Sequence, residues 1–97
     1  GATKWDFMTD GAQKLGLKVK ELPMSEERII QNLEVGNPII CIMGPGAFTS
    51  KGHFIVLTGV ENGKIIVHDP NSIERTEKLW DFEEFSNQVR NLWVYWK

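Results

Sequence analysis

The sequence predicts an α+β fold, in which two helices and a short strand precede an antiparallel sheet. Three observations predict it. Before Gly36 the apolar residues mostly recur at helical spacing, the later segments are short and strand-like, and two of these flank the turn-forming residues 61–63. No internal repeat or linker divides the 97 residues, so we expect a single domain over residues 1–97.

The first part of the chain is predicted to be mainly helical. One helix is expected over residues 3–15 and a second after the capping residue Ser25, ending at Gly36. Residues 17–22 between them alternate in polarity, as in a charged edge strand. Each helix carries one apolar stripe, formed by Trp5, Met8, Ala12 and Leu15 in the first and by Ile29, Ile30 and Leu33 in the second.

The second part is predicted to form the sheet. The apolar runs 39–43 and 54–58 indicate strands covered on both faces, and residues 64–68 and 92–96 complete the set. Between 54–58 and 64–68 we expect a hairpin closed by the three-residue loop Glu61-Asn62-Gly63. Asp81 is placed to cap a short helix that carries Phe82, Phe85 and Val89.

Composition excludes several classes of protein. The sequence contains 11 Lys and Arg and 13 Asp and Glu, and its basic residues form no stripe, so we expect no nucleic-acid partner. No apolar run approaches the roughly 18 residues of a membrane span. One cysteine and two histidines are too few for a disulfide framework or a structural zinc site, so we expect no metal and no cofactor.

The loop over residues 44–52 contains glycines, hydroxyls and a lysine, but it does not have the spacing of a phosphate-binding loop. Ser50 rather than glycine precedes Lys51, and a strand rather than a helix follows. We interpret it as a flexible loop in which Gly44, Gly46 and Gly52 let the backbone approach a substrate.

Two ionisable residues are candidates for chemistry. His53 begins one hairpin strand and Asp69 ends the next, and the predicted three-residue loop places both on one face of the sheet. A carboxylate beside an imidazole is the arrangement of a base and the group that orients it. The alternative is structural, with a rim histidine and an aspartate that caps a turn.

Other reactive or aromatic side chains are interpreted as structural. Cys41 lies within the apolar run 39–43, where burial raises rather than lowers a thiol pKa, so we expect a core cysteine. His68 should point to the face opposite Asp69. The aromatic residues near the C-terminus fit a core better than a ligand platform: Trp80, Trp93, Tyr95 and Trp96.

These segments resemble the papain-like cysteine peptidases of the thirty-ninth family, the bacteriocin-processing type that acts on double-glycine leaders. The resemblance rests on residues 52–59 and 66–71, with support from Trp5-Asp6-Phe7, Gly36-Asn37-Pro38 and Gly44-Pro45-Gly46. It implies a papain-like half fold, with His53 as the catalytic histidine and Asp69 as the residue that orients it. It further implies a bacterial protein of the extracellular space or cell envelope, with a peptide or protein substrate.

The family's nucleophilic cysteine, at the start of an N-terminal helix, has no counterpart in the sequence, nor has its oxyanion-stabilising glutamine. We therefore expect an N-terminally truncated peptidase domain that is inactive alone and self-associates through the surface the missing helix would cover. The alternative is a non-catalytic peptide-binding or interaction domain that kept the fold and lost the cysteine.

Overall fold

The computed structural model describes residues 16–45, 53–70 and 72–96, and these form an α+β arrangement as predicted. The helix expected over residues 3–15 lies outside these ranges. In chain order the elements are β1 (Lys18–Glu21), α1 (Glu26–Glu34), β2 (Ile39–Met43), β3 (His53–Glu61), β4 (Lys64–His68), α2 (Ile73–Glu77), β5 (Leu79–Trp80), two 3₁₀ helices (Phe82–Glu84 and Ser86–Gln88) and β6 (Val89–Trp96).

The strands form one sheet in the order β1-β6-β2-β3-β4-β5, and every neighbouring pair is antiparallel. Strand β1 lies at one edge, as its charged side chains predicted. Strand β2 lies in the interior of the sheet between β6 and β3, and its residues are buried on one face and half-buried on the other, in agreement with a strand covered on both faces.

Helix α1 forms where the sequence supplies a cap, an apolar stripe and a stop. The Oγ of Ser25 accepts a hydrogen bond from the backbone N–H of Arg28 at 3.4 Å. Ile29 and Leu33 are one helical turn apart and are the buried residues of the helix. Gly36 follows with a φ of +89°, a conformation that glycine adopts without strain.

The main core lies on the face of the sheet that α1 covers. Because side chains alternate along a strand, β2, β3, β4 and β6 each contribute every second residue to it. The buried residues of these strands are Ile39, Cys41, Met43, Ile55, Leu57, Ile65, Val67, Leu92 and Val94.

The aromatic residues are part of the packed interior, as predicted. Trp80 belongs to the main core and Trp96 packs against it. On the opposite face Trp93 and Tyr95 are buried and form a second cluster, which includes the partly buried residues Leu17, Val19, Ile40 and Ile42.

The C-terminal third differs from the prediction in two places. Helix α2 and strand β5 were not predicted, because α2 buries no residue and therefore shows no apolar stripe. The single helix expected after Asp81 is instead two 3₁₀ turns. Phe85 is fully buried between these turns, and Val89 already pairs with Met43 as the first residue of β6.

Strand β3 is longer than predicted and is covered on one face rather than two. Its residues Ile55 and Leu57 are fully buried, whereas Phe54 is 46% exposed and Thr58 is also exposed. An apolar run alone does not reveal this, because Phe54 is as apolar as its buried neighbours.

Candidate functional site

The histidine and aspartate singled out from the sequence meet at one end of the sheet. His53 is the first residue of β3, and Asp69 directly follows the last residue of β4. The Nε2 atom of His53 lies 2.7 Å from Oδ1 of Asp69, and the two side chains are 8% and 0% exposed. The predicted contact is therefore confirmed, while the catalytic roles of the two residues remain predictions.

The β3–β4 turn differs from the predicted one. Glu61 pairs with Lys64, so the loop consists of Asn62 and Gly63 only. Their φ values of 53° and 77° are those of a type I′ turn. The prediction of a three-residue loop was wrong, and a two-residue loop by itself would place His53 and Asp69 on opposite faces of the sheet.

A β-bulge at Thr58 brings Asp69 back to the face of His53. Leu57 pairs with Val67 and Gly59 pairs with Ile66, so Thr58 is an extra residue in β3. The register beyond the bulge is shifted by one, and His68 pairs with Val56. Asp69 consequently points to the core face, and His68 is exposed on the other face, as predicted.

The Asp69 carboxylate is held by more than the histidine. Its Oδ2 lies 3.3 Å from Nη1 of Arg75, and its backbone N–H donates to Oγ1 of Thr76 at 2.9 Å. Both partners belong to α2, whose cap is Ser72. Sequence reasoning missed Arg75, although a serine three residues after Asp69 is a signal for a helix start there.

This arrangement can support proton transfer at the imidazole. A carboxylate is an acceptor, so the nitrogen that faces it carries the proton, and the neutral ring is held as the Nε2–H tautomer. Nδ1 is then the nitrogen that accepts a proton. The carboxylate would stabilise the imidazolium that forms, which is the role of the orienting group in cysteine and serine catalysis.

Cys41 is not placed to be the nucleophile of this pair. It is 1% exposed and lies on the core face of β2, paired with Ile55. Burial raises the pKa of its thiol from 9.0 to about 12, so almost none of it is thiolate at neutral pH. The prediction of a core cysteine is confirmed.

The three glycines predicted to contact substrate are only partly described. Gly46 and Gly52 lie outside the described residues. Gly44 is buried, and its N–H donates to the carbonyl oxygen of Gln88 at 2.7 Å. The end of the Arg90 side chain occupies the position that a β-carbon at residue 44 would take, so the neighbour that approaches Gly44 is a side chain of this protein. Contact of these glycines with substrate stays a prediction.

Within the described ranges, no group of three or more His, Cys, Asp or Glu side chains is arranged to hold a metal ion. No helix in the same part of the chain has the length and apolar character required to cross a membrane.

Two comparisons with known proteins bear on the family and the fold of the chain. The family model described as "Peptidase_C39 like family" matches residues 2–97. The fold is similar to that of the peptidase domain of Streptococcus ComA, a bifunctional ABC transporter involved in a quorum-sensing pathway, with a TM-score of 0.65 and 20% sequence identity. That match covers 97% of this chain and 65% of the ComA domain, so the chain spans slightly less than two thirds of that domain.

No curated protein matches the chain. The ComA domain confirms the predicted fold, an antiparallel sheet with a few helices of the C39 peptidase type. The family model covers almost every residue of the sequence. This chain therefore belongs to the peptidase C39-like family.

Proposed function

We propose that this chain provides the histidine and the carboxylate of a thiol-dependent peptidase site, with His53 as the base and Asp69 as the group that orients it. The observation that carries the proposal is the 2.7 Å contact between the rim imidazole and a carboxylate with no exposed surface. Membership in the peptidase C39-like family supports peptide-bond hydrolysis as the class of reaction. In that reaction a thiolate attacks the peptide carbonyl, the C–N bond breaks and a thioester forms, while the amine leaves with the proton that the imidazolium gives up. Water then hydrolyses the thioester, which releases the carboxylic acid and regenerates the thiol.

The nucleophile of such a reaction would be a cysteine other than Cys41, which is the single cysteine of this sequence. Because Cys41 is buried, the chain alone is expected to hydrolyse no peptide. The substrate would be a peptide or protein that contacts the loop beginning at Gly44. Support for this placement comes from the pairing of Met43 with His53, which puts the start of that loop at the same end of the sheet as the histidine.

A peptide-binding domain without catalysis is the second candidate. Phe54 favours it, because this large apolar side chain is 46% exposed next to the site. Its ring centroid is 5.6 Å from that of His53. Exposed aromatic side chains beside a polar group are common anchors of bound peptides.

The proposal is tested by joining the chain to an N-terminal segment that carries the cysteine of a C39 domain, and measuring cleavage of a fluorogenic peptide with a double-glycine site. The joined protein is expected to cleave the peptide. His53→Ala should lower the rate by about 10²–10⁴-fold, the usual contribution of a general base. His68→Ala is the matched control, since this exposed histidine lies next to Asp69 and points away from the site.

Equal rates for the His53→Ala and His68→Ala proteins would refute the assignment of His53. A joined protein that binds the peptide without cleaving it, and whose affinity falls on Phe54→Ala, would favour the binding domain. Hydrolysis by the unjoined chain that disappears on Cys41→Ala would show that the nucleophile was misassigned.

A further inference from the structure

Among the described residues, two cationic or potentially cationic side chains contact the Asp69 carboxylate, one at each oxygen. Oδ1 faces the His53 imidazole at 2.7 Å, and Oδ2 faces the Arg75 guanidinium at 3.3 Å. The carboxylate has no exposed surface, whereas the Arg75 side chain is 33% exposed. Arg75 therefore contacts the carboxylate oxygen that does not face the imidazole.

The backbone on both sides of Arg75 is fixed, so its guanidinium reaches Asp69 from a defined position. The Arg75 N–H donates to Oγ of Ser72 at 3.1 Å, and the Arg75 carbonyl oxygen accepts from Nε1 of Trp80 at 3.0 Å. The next residue, Thr76, accepts the backbone N–H of Asp69. Helix α2 and its cap are thus tied to Asp69 through the ion pair with Arg75 and through hydrogen bonds that Thr76 and Ser72 make with the Asp69 backbone.

A buried carboxylate remains ionised only where charge and hydrogen bonds replace its lost hydration. If Asp69 took up a proton, it would become a donor, and an Asp69 O–H pointing at His53 would favour the opposite imidazole tautomer. A positive charge on Oδ2 opposes that uptake. It also leaves Oδ1 as the oxygen that accepts from His53.

We propose that Arg75 is a positioning residue, whose charge keeps Asp69 an ionised acceptor and thereby holds His53 in the Nε2–H tautomer, with Nδ1 available as the base. The catalytic meaning of this inference rests on the proposed function. The effect on the tautomer is a property of the chain by itself and can be measured without a nucleophile or a substrate.

The experiment uses the 97-residue chain and long-range ¹H–¹⁵N correlation spectra of the His53 imidazole, recorded at a pH where the ring is neutral. In the wild type we expect the Nε2–H tautomer to dominate. Arg75→Gln should lower the ratio of the Nε2–H to the Nδ1–H form by about tenfold, as expected when a hydrogen bond to a charged group is lost. Arg75→Lys should restore it, because the charge is retained.

Arg28→Gln is the matched control, since it makes the same substitution at an exposed position of α1 and should leave the ratio unchanged. Should Arg75→Gln not fold, Arg75→Met takes its place, because it keeps the apolar part of the side chain while removing the charge. A neutral variant with the wild-type ratio overturns the proposal. So does failure of Arg75→Lys to restore the ratio, which would indicate a structural role of Arg75 in α2.

Failure of the proposed function has a different signature. If the wild-type ring itself is not mainly the Nε2–H form, the His53–Asp69 pair is not the orienting pair described above, and both proposals are overturned. If only the Arg75 variants behave otherwise than expected, the proposed function stands and the role of Arg75 is overturned.

Discussion

The reactivity of the Cys41 thiol tests two conclusions together: that Cys41 lies in the core, and that it is not the nucleophile of the site. Cys41 is 1% exposed between two neighbouring strands, with Ile55 opposite it on β3 and Leu92 opposite it on β6. Burial raises its pKa from 9.0 to about 12. The perturbation is a thiol reagent such as DTNB, added to the native chain at about pH 8.

The expected slowing follows from the fraction of thiolate, which is the reacting form. At pH 8 about one tenth of a thiol with a pKa of 9.0 is ionised, but only about one in 10⁴ of a thiol with a pKa of about 12. Native Cys41 should therefore react at least about 10³-fold more slowly than the same residue in the unfolded chain. Lack of access to the reagent would add to this factor.

The assay compares the DTNB absorbance change of the native chain with that of the chain in guanidinium chloride at the same pH. The sequence contains a single cysteine, so the signal reports one site and the Cys41→Ala protein gives the blank. A native rate within tenfold of the unfolded rate would refute the placement of Cys41 in the core of the sheet. It would also return Cys41 to the set of candidate nucleophiles.

The same pKa shift predicts how stability depends on alkaline pH. The folded state holds the thiol proton more tightly than the unfolded state, so this stabilisation is complete below about pH 9 and is lost as the pH rises toward 12. The loss should be about 1 kcal/mol per pH unit in that window. Cys41→Ala should reduce this dependence in urea titrations, at a cost of about 1 kcal/mol at neutral pH, and leave the smaller part that comes from Tyr95, whose pKa burial also raises.

Three further predictions concern the groups around the site and the hairpin. Asp69→Ala should lower the free energy of unfolding by about 3 kcal/mol in urea titrations, because His53 and Arg75 both lose their hydrogen bonds to the buried carboxylate, whereas Lys64→Ala breaks an exposed ion pair and should cost less than about 1 kcal/mol. Gly63→Ala should cost about 1 kcal/mol from backbone strain alone, since φ is +77° and no atom would contact the new methyl group; a larger loss of the urea midpoint would contradict this origin. The pKa of Glu84 is lowered by the Asp81 backbone N–H and then by Lys78, so stability is lost as the pH falls below 4.5, and Glu84→Gln should flatten the dependence of Tm on pH in this range.

The sequence predicted the elements with a clear period or a clear turn. Residues 39–43 and 64–68 are strands with the predicted bounds, because each is an unbroken β-favouring run between turn-forming residues. The glycine at position 63 also located the hairpin. The length of the hairpin loop could not be predicted from these residues alone, since residues 61–63 fit both a two-residue and a three-residue loop.

The contact between His53 and Asp69 was predicted from a wrong turn and is nevertheless present. A three-residue loop and a two-residue loop followed by a bulge shift the register by the same one residue. The signal for the bulge was Gly59, a glycine inside a strand pattern, which often marks such an irregularity. The bulge lets the half-buried Val60 pack against the core. This packing is a tertiary contact, so the local sequence alone could not predict the bulge.

Arg75 could not be identified from periodicity, because it lies on a helix with no buried residue and therefore no apolar stripe. Its contact with Asp69, at the end of a strand, is a tertiary contact. The Ser72 cap indicates where the helix begins. It does not indicate which of the charged residues Glu74, Arg75 and Glu77 faces the site.

The bulge at Thr58 imposes an even–odd rule on the spacing of the functional pair. In a regular hairpin with a two-residue loop, residues that face each other are separated by an odd number of positions, as are Val60 and Ile65. His53 and Asp69 are 16 positions apart, an even number, so they share a face only because β3 holds one residue more than the ladder requires. Deleting Thr58 makes the separation 15, an odd number, so a regular hairpin without the bulge should form and should keep the pair on one face. The bulge is thus what reconciles an even spacing of the pair with a two-residue turn, and a hairpin that closes with such a turn and lacks the bulge needs an odd spacing between the two residues.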